Sequence, residues 1–202
     1  MSIYKYLFAN AYDYLLKNIE EQILSPHRTE ILKNVSFPSL EIGAGTGANL
    51  PFYSIETERK RVFLDYSPWM LRKLIQKDIK KIGVPILGQA EKLPFRNESF
   101  SAVVITLALC SIRSPGDSLL EIKRVIQPDG FLFLIEHVAS HKKWKRWIES
   151  TLTPIWSHLA DGCHLDRESD ITLKQDFFPI KEYTFEYYGT TFIAGVYKKK
   201  GS

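Results

Sequence analysis

The stretch LEIGAGTGAN, residues 40–49, determines the fold class of this 202-residue chain. The apolar segment Ser39–Ile42 predicts a short buried strand, and it runs directly into glycines at positions 43, 45 and 47. Glycine adopts positive φ angles and has no Cβ, so a ligand can approach the backbone closely at such a turn. Asn49 is placed to cap a helical segment that follows. The pattern therefore predicts a strand, a ligand-binding turn and a helix.

Strands and helices alternate along the chain on both sides of this turn. We predict strands at Ser39–Ile42, Arg61–Leu64, Val84–Leu87, Ala102–Leu107 and Phe131–Ile135, and a closing hairpin from Phe185–Tyr188 and Thr191–Val196. This alternation predicts an α/β, Rossmann-like doubly wound fold: a mostly parallel seven-stranded sheet with helices on both faces and a closing antiparallel hairpin. Ligands bind such sheets at the carboxyl ends of the strands. The residues that follow predicted strands are Gly43, Asp65, Gln89, Thr106 and Glu136.

Composition sets the domain organisation and excludes some functions. With 202 residues and 45% hydrophobic content, we expect one domain over 1–202, with a helical N-terminal cap at 1–36 and a helical insert at 138–176. The net charge of +4 is spread along the chain, which disfavours nucleic-acid binding. Cys110 and Cys163 have no metal-ligand spacing, so we expect no metal and a reducing, cytoplasmic setting. We also expect neither a signal peptide nor a membrane-spanning segment.

The glycine turn carries two features that narrow its ligand. Glu41 stands two residues before the first glycine, and its carboxylate suits a ligand with an ammonium group better than one with pyrophosphate. The Gly-x-Gly-x-Gly spacing also differs from the dinucleotide fingerprint, although Ala48 formally satisfies the last position of that pattern. Asp65, at the end of the next strand, is placed to accept hydrogen bonds from ribose hydroxyls. The alternative is that Asp65 only caps the helix that begins near Ser67.

Four motifs together resemble the class I methyltransferases that use S-adenosylmethionine (SAM), in particular the type 11 group with the ubiquinone and menaquinone C-methyltransferases. They are LEIGAGTGANLPFY at 40–53, LDYSPWM at 64–70, GQAEKLPF at 88–95 with ESF at 98–100, and EIKRVIQPDG at 121–130. The resemblance covers about residues 38–137. It implies SAM as the cofactor and S-adenosylhomocysteine (SAH) as its product.

The resemblance also implies roles for individual residues. Glu41, Gly43 and Gly45 hold the methionine part of SAM, Asp65 the ribose, and Thr106 and Leu107 line the floor. The residues implied at the adenine are Tyr66, Met70, Gln89, Ala90 and Glu91. Gln89 departs from the family, which usually has Asp there; Gln can still accept a hydrogen bond but carries no charge. The N-terminal helix, with Tyr12 and Asp13, resembles the family's cap over SAM; the alternative is a helix that only covers the sheet edge.

The insert at 138–176 is where a methyl acceptor is expected to bind. The run Glu136-His137-Val138, followed by a Trp, Pro154-x-Trp156 and Asp161-Gly-Cys163, resembles the membrane-associated thiol methyltransferase-like branch of the same superfamily. As a substrate lid it offers three proton acceptors, His137, Asp161 and His164. As a membrane contact it offers Trp144, Trp147 and Trp156 next to lysines. In the third interpretation it is a structural helix with Trp in the core.

We therefore predict a methyltransferase for a small acceptor, lipophilic or carrying a thiol, phenol or quinol group. One rival is a nicotinamide-dependent oxidoreductase on the same architecture, which Glu41 and the glycine spacing disfavour. Another is a non-catalytic SAM-binding module associated with a membrane. The acceptor atom and the oligomeric state have no signal in the sequence.

Overall fold

The computed structural model describes residues 3–53, 61–77, 79–187 and 189–201. The strands are β1 (Ser39–Ile42), β2 (Arg61–Asp65), β3 (Gly83–Leu87), β4 (Phe100–Thr106), β5 (Ile126–Val138), β6 (Phe177–Tyr187) and β7 (Thr190–Lys199). The helices are α1 (Ile3–Ile19), α2 (Ser25–Leu32), α3 (Pro68–Ile75), α4 (Pro115–Val125), α5 (Lys143–Leu159) and α6 (Ser169–Asp176). A π-helical turn, Glu20–Leu24, joins α1 to α2.

The seven strands form one sheet in the order β3-β2-β1-β4-β5-β7-β6. The first five pair in parallel, while β7 runs antiparallel to both β5 and β6. Strands are added from β1 toward one edge of the sheet, as β2 and β3, and then from β4 toward the other edge. The carboxyl ends of β1 and β4, where the strand order changes side, are therefore the expected ligand site. The doubly wound fold and the closing hairpin predicted from the sequence are confirmed.

Helices cover both faces of the sheet. On one face α4 buries Leu119, Ile122 and Val125 against Leu132 and Leu134 of β5. On the other face, side chains from α2 and α3 pack against a different set of strand residues, among them Ile31, Leu32, Leu71, Leu74, Phe63 and Ile135. Apolar side chains on both faces explain why the central strands are apolar throughout rather than alternating.

The largest differences from the predictions are at the starts of two strands and at one predicted helix cap. Strand β5 begins at Ile126, and Pro128-Asp129-Gly130 forms an irregularity in its pairing with β4 rather than a separate turn. Strand β6 begins at Phe177, so the hairpin is longer than predicted, and Tyr188 lies outside the described residues. Asn49 makes no side-chain capping bond, because its side-chain oxygen accepts from Arg28 in a buried network instead. The insert lies between β5 and β6, where the sequence places it.

Candidate cofactor site

The glycine turn has the backbone conformation that its sequence predicts. Gly43, Gly45 and Gly47 all have positive φ, at 68°, 56° and 89°. The turn is held to the neighbouring strand by a hydrogen bond from the Ala44 amide to the Leu64 carbonyl at 3.1 Å. A Cβ at Gly43 would stand 2.3 Å from the Cβ of Ala108, so this position excludes any side chain. A Cβ at Gly45 would meet only the Gly43 carbonyl at 3.9 Å, so the turn is open at its centre.

Asp65 ties the end of β2 to this turn. One carboxylate oxygen accepts the Gly45 amide at 2.8 Å, and the other accepts the Ser67 amide at 2.8 Å. Burial raises the pKa of Asp65, while these two amides favour the ionised form. Helix α3 is capped by Ser67 itself, whose hydroxyl accepts the Met70 amide at 3.4 Å. Each oxygen of Asp65 has a second lone pair, so the carboxylate can also accept from ribose hydroxyls.

Glu41 lies in a buried polar network beneath the turn. Its two oxygens accept from the Asn49 amide at 2.9 Å and from the Tyr53 hydroxyl at 2.8 Å. Asn49 also donates to the Thr106 hydroxyl oxygen at 2.9 Å. The Arg28 guanidinium of α2 donates to both Asn49 and Thr106. Burial raises the pKa of Glu41, and the Tyr53 and Asn49 hydrogen bonds lower it.

The residues expected at the adenine lie in the segments of the chain that follow β2 and β3. Met70 and Ala90 are buried, whereas Tyr66 is 48% exposed and Gln89 is exposed. The Glu91 carboxylate accepts the Ser114 amide at 3.3 Å and so joins this segment to the start of α4.

Residues after β4 and at the end of β5 form a second loop at the same edge. Leu107 has a positive φ of 51°, and its amide donates to the Ile135 carbonyl at 2.8 Å. The buried Glu136 carboxylate accepts the amides of Ala108 and Leu109 at 2.7 and 2.8 Å. Burial raises the pKa of Glu136 to about 7. Glu136 therefore shapes the loop opposite the glycine turn.

The three candidate proton acceptors have different surroundings. His137 is 5% exposed, its ring nitrogens have no hydrogen-bond partner among the described residues, and burial lowers its pKa to about 4. Asp161 accepts from the Tyr66 hydroxyl and lies 3.5 Å from Lys5 Nζ. His164 is partly exposed, with Nδ1 4.0 Å from an Asp166 oxygen.

Two cysteines meet where the insert contacts the loop after β4. The Sγ atoms of Cys110 and Cys163 are 3.6 Å apart, and the His164 amide donates to the Cys110 carbonyl at 3.1 Å. Contact with Cys110 lowers the pKa of the Cys163 thiol to about 7. Among the described residues there is no cluster of His, Cys, Asp and Glu suited to a metal ion.

The N-terminal helix closes over this edge of the sheet. The Tyr4 hydroxyl of α1 donates to the Leu159 carbonyl of α5 at 2.6 Å, and Lys5 reaches Asp161. Burial raises the pKa of Tyr12, with smaller contributions from Glu20 and other charged groups around the site. The side chain of Asp13 lies outside the described residues. The cap helix thus contacts the insert directly.

Helix α5 of the insert presents its apolar side to solvent. Trp144, Trp147 and Trp156 are 62%, 72% and 45% exposed, which excludes the interpretation that these tryptophans fill the core. Ile148, Leu152, Ile155 and Leu159 on the same helix are also exposed. Thr153 is its buried residue among those described, and its hydroxyl contacts Asp166 at 3.1 Å. In the described part of the chain, the helices are too short or too polar to cross a bilayer.

Two residues have roles at the site that the sequence motifs do not predict. Arg28 was not predicted, but its spacing from Leu24, Ile31 and Leu32 puts a lone charge on an otherwise apolar helix face, which is a usable signal. Glu136 was expected as a strand-end residue and as part of the Glu136-His137-Val138 run; its role in bonding the loop after β4 depends on tertiary contacts.

Three features of the glycine-turn edge are compatible with SAM as the cofactor. A positive-φ turn without side chains provides backbone access, Asp65 has spare acceptor capacity beside it, and the Glu41 network lies beneath it. The sheet has seven strands with β7 antiparallel, and a carboxylate, Asp65, ends β2. This combination is that of the Rossmann-like class of SAM-dependent methyltransferases.

Comparison with known proteins confirms this class. Residues 40–134 match the family model described as "Methyltransferase domain", of type 11. A solved structure from Thermotoga maritima, described as a SAM-dependent methyltransferase and possible histamine N-methyltransferase, shares the fold with a TM-score of 0.70. It is 19% identical, and the alignment covers 100% of both chains.

Two curated relatives give more specific names. The thiol S-methyltransferase TMT1B of Rattus norvegicus is 35% identical over 140 residues, covering 64% of this chain and 55% of that protein. A demethylmenaquinone methyltransferase of Renibacterium salmoninarum is 36% identical over 99 residues, covering 48% of this chain and 40% of that protein. The chain thus spans about half the length of these relatives. These three proteins are described as methyltransferases and give no support to the oxidoreductase alternative.

Proposed function

We propose that this protein transfers a methyl group from SAM to a small lipophilic acceptor. The observation that carries the proposal is the double hydrogen bond of Asp65, which fixes the ribose-binding carboxylate to both the Gly45 turn and the start of α3. The bound cofactor supplies an activated methyl group for in-line displacement. The protein then has to align the acceptor atom and exclude water.

The residues predicted from the sequence would divide the cofactor between them. Glu41, Gly43, Gly45, Thr106 and Leu107 would surround the methionine part, and Asp65 would bind the ribose. The adenine would be bounded by Tyr66, Met70, Gln89, Ala90 and Glu91. These three groups lie at or after the carboxyl ends of β1, β2, β3 and β4. The cofactor would therefore lie across the point between β1 and β4 where the strand order changes side.

We place the acceptor between the cap and the insert, beside Cys110 and Cys163. The neighbouring side chains there are Tyr12, Trp156 and the two thiols, which suit an uncharged, partly aromatic or sulfur-containing molecule better than an anion. The names of the relatives, thiol S-methyltransferase and demethylmenaquinone methyltransferase, point to thiol and quinol acceptors. We therefore favour an acceptor with a thiol, phenol or quinol group.

Of the three proton acceptors, we rank His164 first. Its side chain is partly exposed, so it can pass a proton to solvent, and an Asp166 carboxylate lies 4.0 Å from its Nδ1. Asp161 already accepts from Tyr66, and the low pKa of His137 makes it a weak base. We expect His164→Gln to lower the methylation rate of a phenol more than that of an already ionised thiol.

Labelled SAM with a panel of alkyl thiols, phenols, quinols and amines tests the proposal. We expect label in a thiol, phenol or quinol product, and at least a tenfold lower rate with Asp65→Ala. Binding of SAM with no turnover of any acceptor would instead favour the non-catalytic module.

We further propose that α5 lies against a membrane surface from which the acceptor enters. The apolar side of this helix faces away from the protein, and the exposed residues Lys142 and Lys143 stand at its start. Exposed apolar patches of this kind mark interaction sites, and tryptophan with lysine suits the interface of an anionic bilayer.

Flotation with liposomes of neutral and anionic phospholipid tests this placement. We expect the wild type to float with anionic liposomes, and Trp144→Gln/Trp147→Gln to remain at the bottom of the gradient. Leu120→Gln, which removes a 56% exposed leucine from α4, should float normally. Equal flotation of all three proteins would overturn the membrane proposal without affecting the cofactor site.

A further inference from the structure

Arg28 of α2 lies outside every motif that predicts the cofactor site, and yet it reaches that site. It is 2% exposed. Its Nε and Nη2 donate to the two oxygens of Glu20 at 3.0 and 2.8 Å, and its Nη1 donates to Asn49 and to Thr106. Four of its five N–H groups therefore have acceptors. Burying a guanidinium is costly unless it is paired in this way, so its place beside the turn needs a reason.

The hydrogen bonds of Thr106 supply that reason. Its hydroxyl oxygen accepts from Arg28 Nη1 at 2.9 Å and from Asn49 Nδ2 at 2.9 Å. A hydroxyl oxygen has two acceptor lone pairs and one hydrogen to donate. Since both lone pairs are occupied, the hydroxyl hydrogen of Thr106 must point away from Arg28 and Asn49. Arg28 thus orients the Thr106 hydroxyl so that its hydrogen is directed toward another acceptor.

The position of Thr106 in the sheet shows where this donor stands. Ile42 of β1 pairs with Ile105 of β4, so the next residues along, Gly43 and Thr106, stand side by side at the carboxyl edge. Thr106 is 8% exposed, so a group that meets its hydroxyl is shielded from water. A carboxylate accepts hydrogen bonds in such a place with little competition from solvent, and the nearby guanidinium favours its negative charge.

We propose that Arg28 is a positioning residue that makes the site select the amino-acid end of SAM, through the Thr106 hydroxyl and the α-carboxylate. This inference rests on the proposed SAM-dependent function. It assigns the N-terminal cap a second role, because α2 then supplies part of the methionine subsite as well as covering the sheet.

Three ligands separate this role from a general structural one. SAH carries the complete amino-acid end, decarboxylated SAM lacks only the carboxylate, and 5′-methylthioadenosine lacks the whole amino-acid end but keeps adenosine and sulfur. Equilibrium dissociation constants for all three, measured by calorimetry on the intact chain, show which part of the ligand each variant affects.

Two variants keep the test valid if one of them folds poorly. Glu20→Gln/Arg28→Met removes both members of the buried pair and so leaves no unpaired charge, and Thr106→Val removes only the donor at constant volume. Arg96→Met, at an exposed arginine away from this network, is the matched control. Thermal unfolding of each protein confirms that it is folded at the titration temperature.

We expect both variants to bind SAH at least tenfold more weakly and methylthioadenosine within twofold of the wild type. Decarboxylated SAM, which lacks the carboxylate, should also bind the variants within twofold of the wild type. Equal weakening of SAH and methylthioadenosine, or no weakening of either, would overturn the positioning role. If the wild type binds none of the three ligands, the proposed function fails, and this inference fails with it.

Discussion

The glycine-turn edge of the sheet and helix α5 of the insert differ in how they use polar and apolar residues. At the turn, polar side chains are buried and hydrogen-bonded: Glu41, Asn49 and Asp65 are at most 5% exposed. On α5 the apolar residues are exposed, with Trp147 at 72% and Ile155 at 66%.

This difference follows from what each region has to recognise. A buried polar network is costly unless fully paired, and once paired it holds one geometry, which suits a single invariant cofactor. An exposed apolar helix holds no fixed geometry for a ligand, but it can contact many lipophilic partners. We therefore expect mutations at the turn to change cofactor binding sharply, and those on the exposed face of the insert to change mainly acceptor access.

The largest expected effect is that of a side chain at the turn. In Gly43→Ala the new methyl would overlap Ala108 in a backbone with positive φ, so we expect a loss of stability of about 2–5 kcal/mol and of SAM binding. Urea unfolding and SAM titration measure both. Gly116→Ala is the control, since a Cβ there meets nothing within 4 Å. Equal stability of the two variants would show that the turn is not tightly packed.

The next effect concerns the ribose carboxylate. Asp65→Ala leaves the Gly45 and Ser67 amides without their acceptor and removes the charge, so we expect SAM affinity to fall by about 1–3 kcal/mol. Calorimetric titration of SAM measures this loss. Asp129→Ala, at a fully exposed position, should leave affinity unchanged. Unchanged affinity in Asp65→Ala itself would move the cofactor elsewhere.

A third prediction concerns how the buried His137, beside the insert, makes the free energy of unfolding depend on pH. Its pKa of about 4 lies below the ordinary 6.5 because of burial, so the folded state binds fewer protons than the unfolded state. The stability it contributes is present above pH 6.5 and is lost as pH falls toward 4. Between pH 8 and pH 5 we expect a loss of about 2 kcal/mol from this group.

His137→Leu removes this contribution. The difference in unfolding free energy between the two pH values, measured with urea, should therefore be smaller in the variant by about 2 kcal/mol. His158→Leu, at an exposed histidine, should behave as the wild type does. A variant with the full wild-type pH dependence would contradict the burial of a neutral His137.

The smallest expected effect is at the contact between the residue after β2, Tyr66, and the insert. Tyr66→Phe removes the hydrogen bond to Asp161, and because Tyr66 is half exposed we expect global stability to change by less than about 1 kcal/mol. Hydrogen exchange of the turn at 161–163 should nevertheless become faster. Tyr6→Phe, at a similarly exposed tyrosine of α1, should leave that exchange unchanged. Identical exchange in both variants would mean that this bond does not hold the insert.

The sequence predicts the strands, turn and helix around Gly43 well because their signals are local. The strand before Gly43, the carboxylate ending β2 and the Pro-initiated helix after Ser67 each need only a few neighbouring residues to be recognised. The long pairing of β6 and the irregularity at Pro128–Gly130 depend on register between distant strands, so their bounds were missed.

Contacts across the chain account for the remaining differences. Asn49 has the residue type and position of a helix cap, but its side-chain oxygen accepts from Arg28 instead. Its NH2 group donates to Glu41 and Thr106 in the same buried network. The exposure of the α5 tryptophans also depends on how that helix docks. Thr153 on its polar side contacts Asp166, and Glu149 accepts a hydrogen bond from the Ser140 amide. Periodicity gives the apolar stripe of a helix but not the direction in which the stripe faces.

Equilibrium titration of the wild-type protein with SAM, SAH and NAD tests the central claim most directly. A turn built on Gly43, Gly45 and Asp65 as described should bind SAM and SAH saturably at one site and show no saturable binding of NAD. Saturable binding of NAD with no response to SAM or SAH would contradict the account.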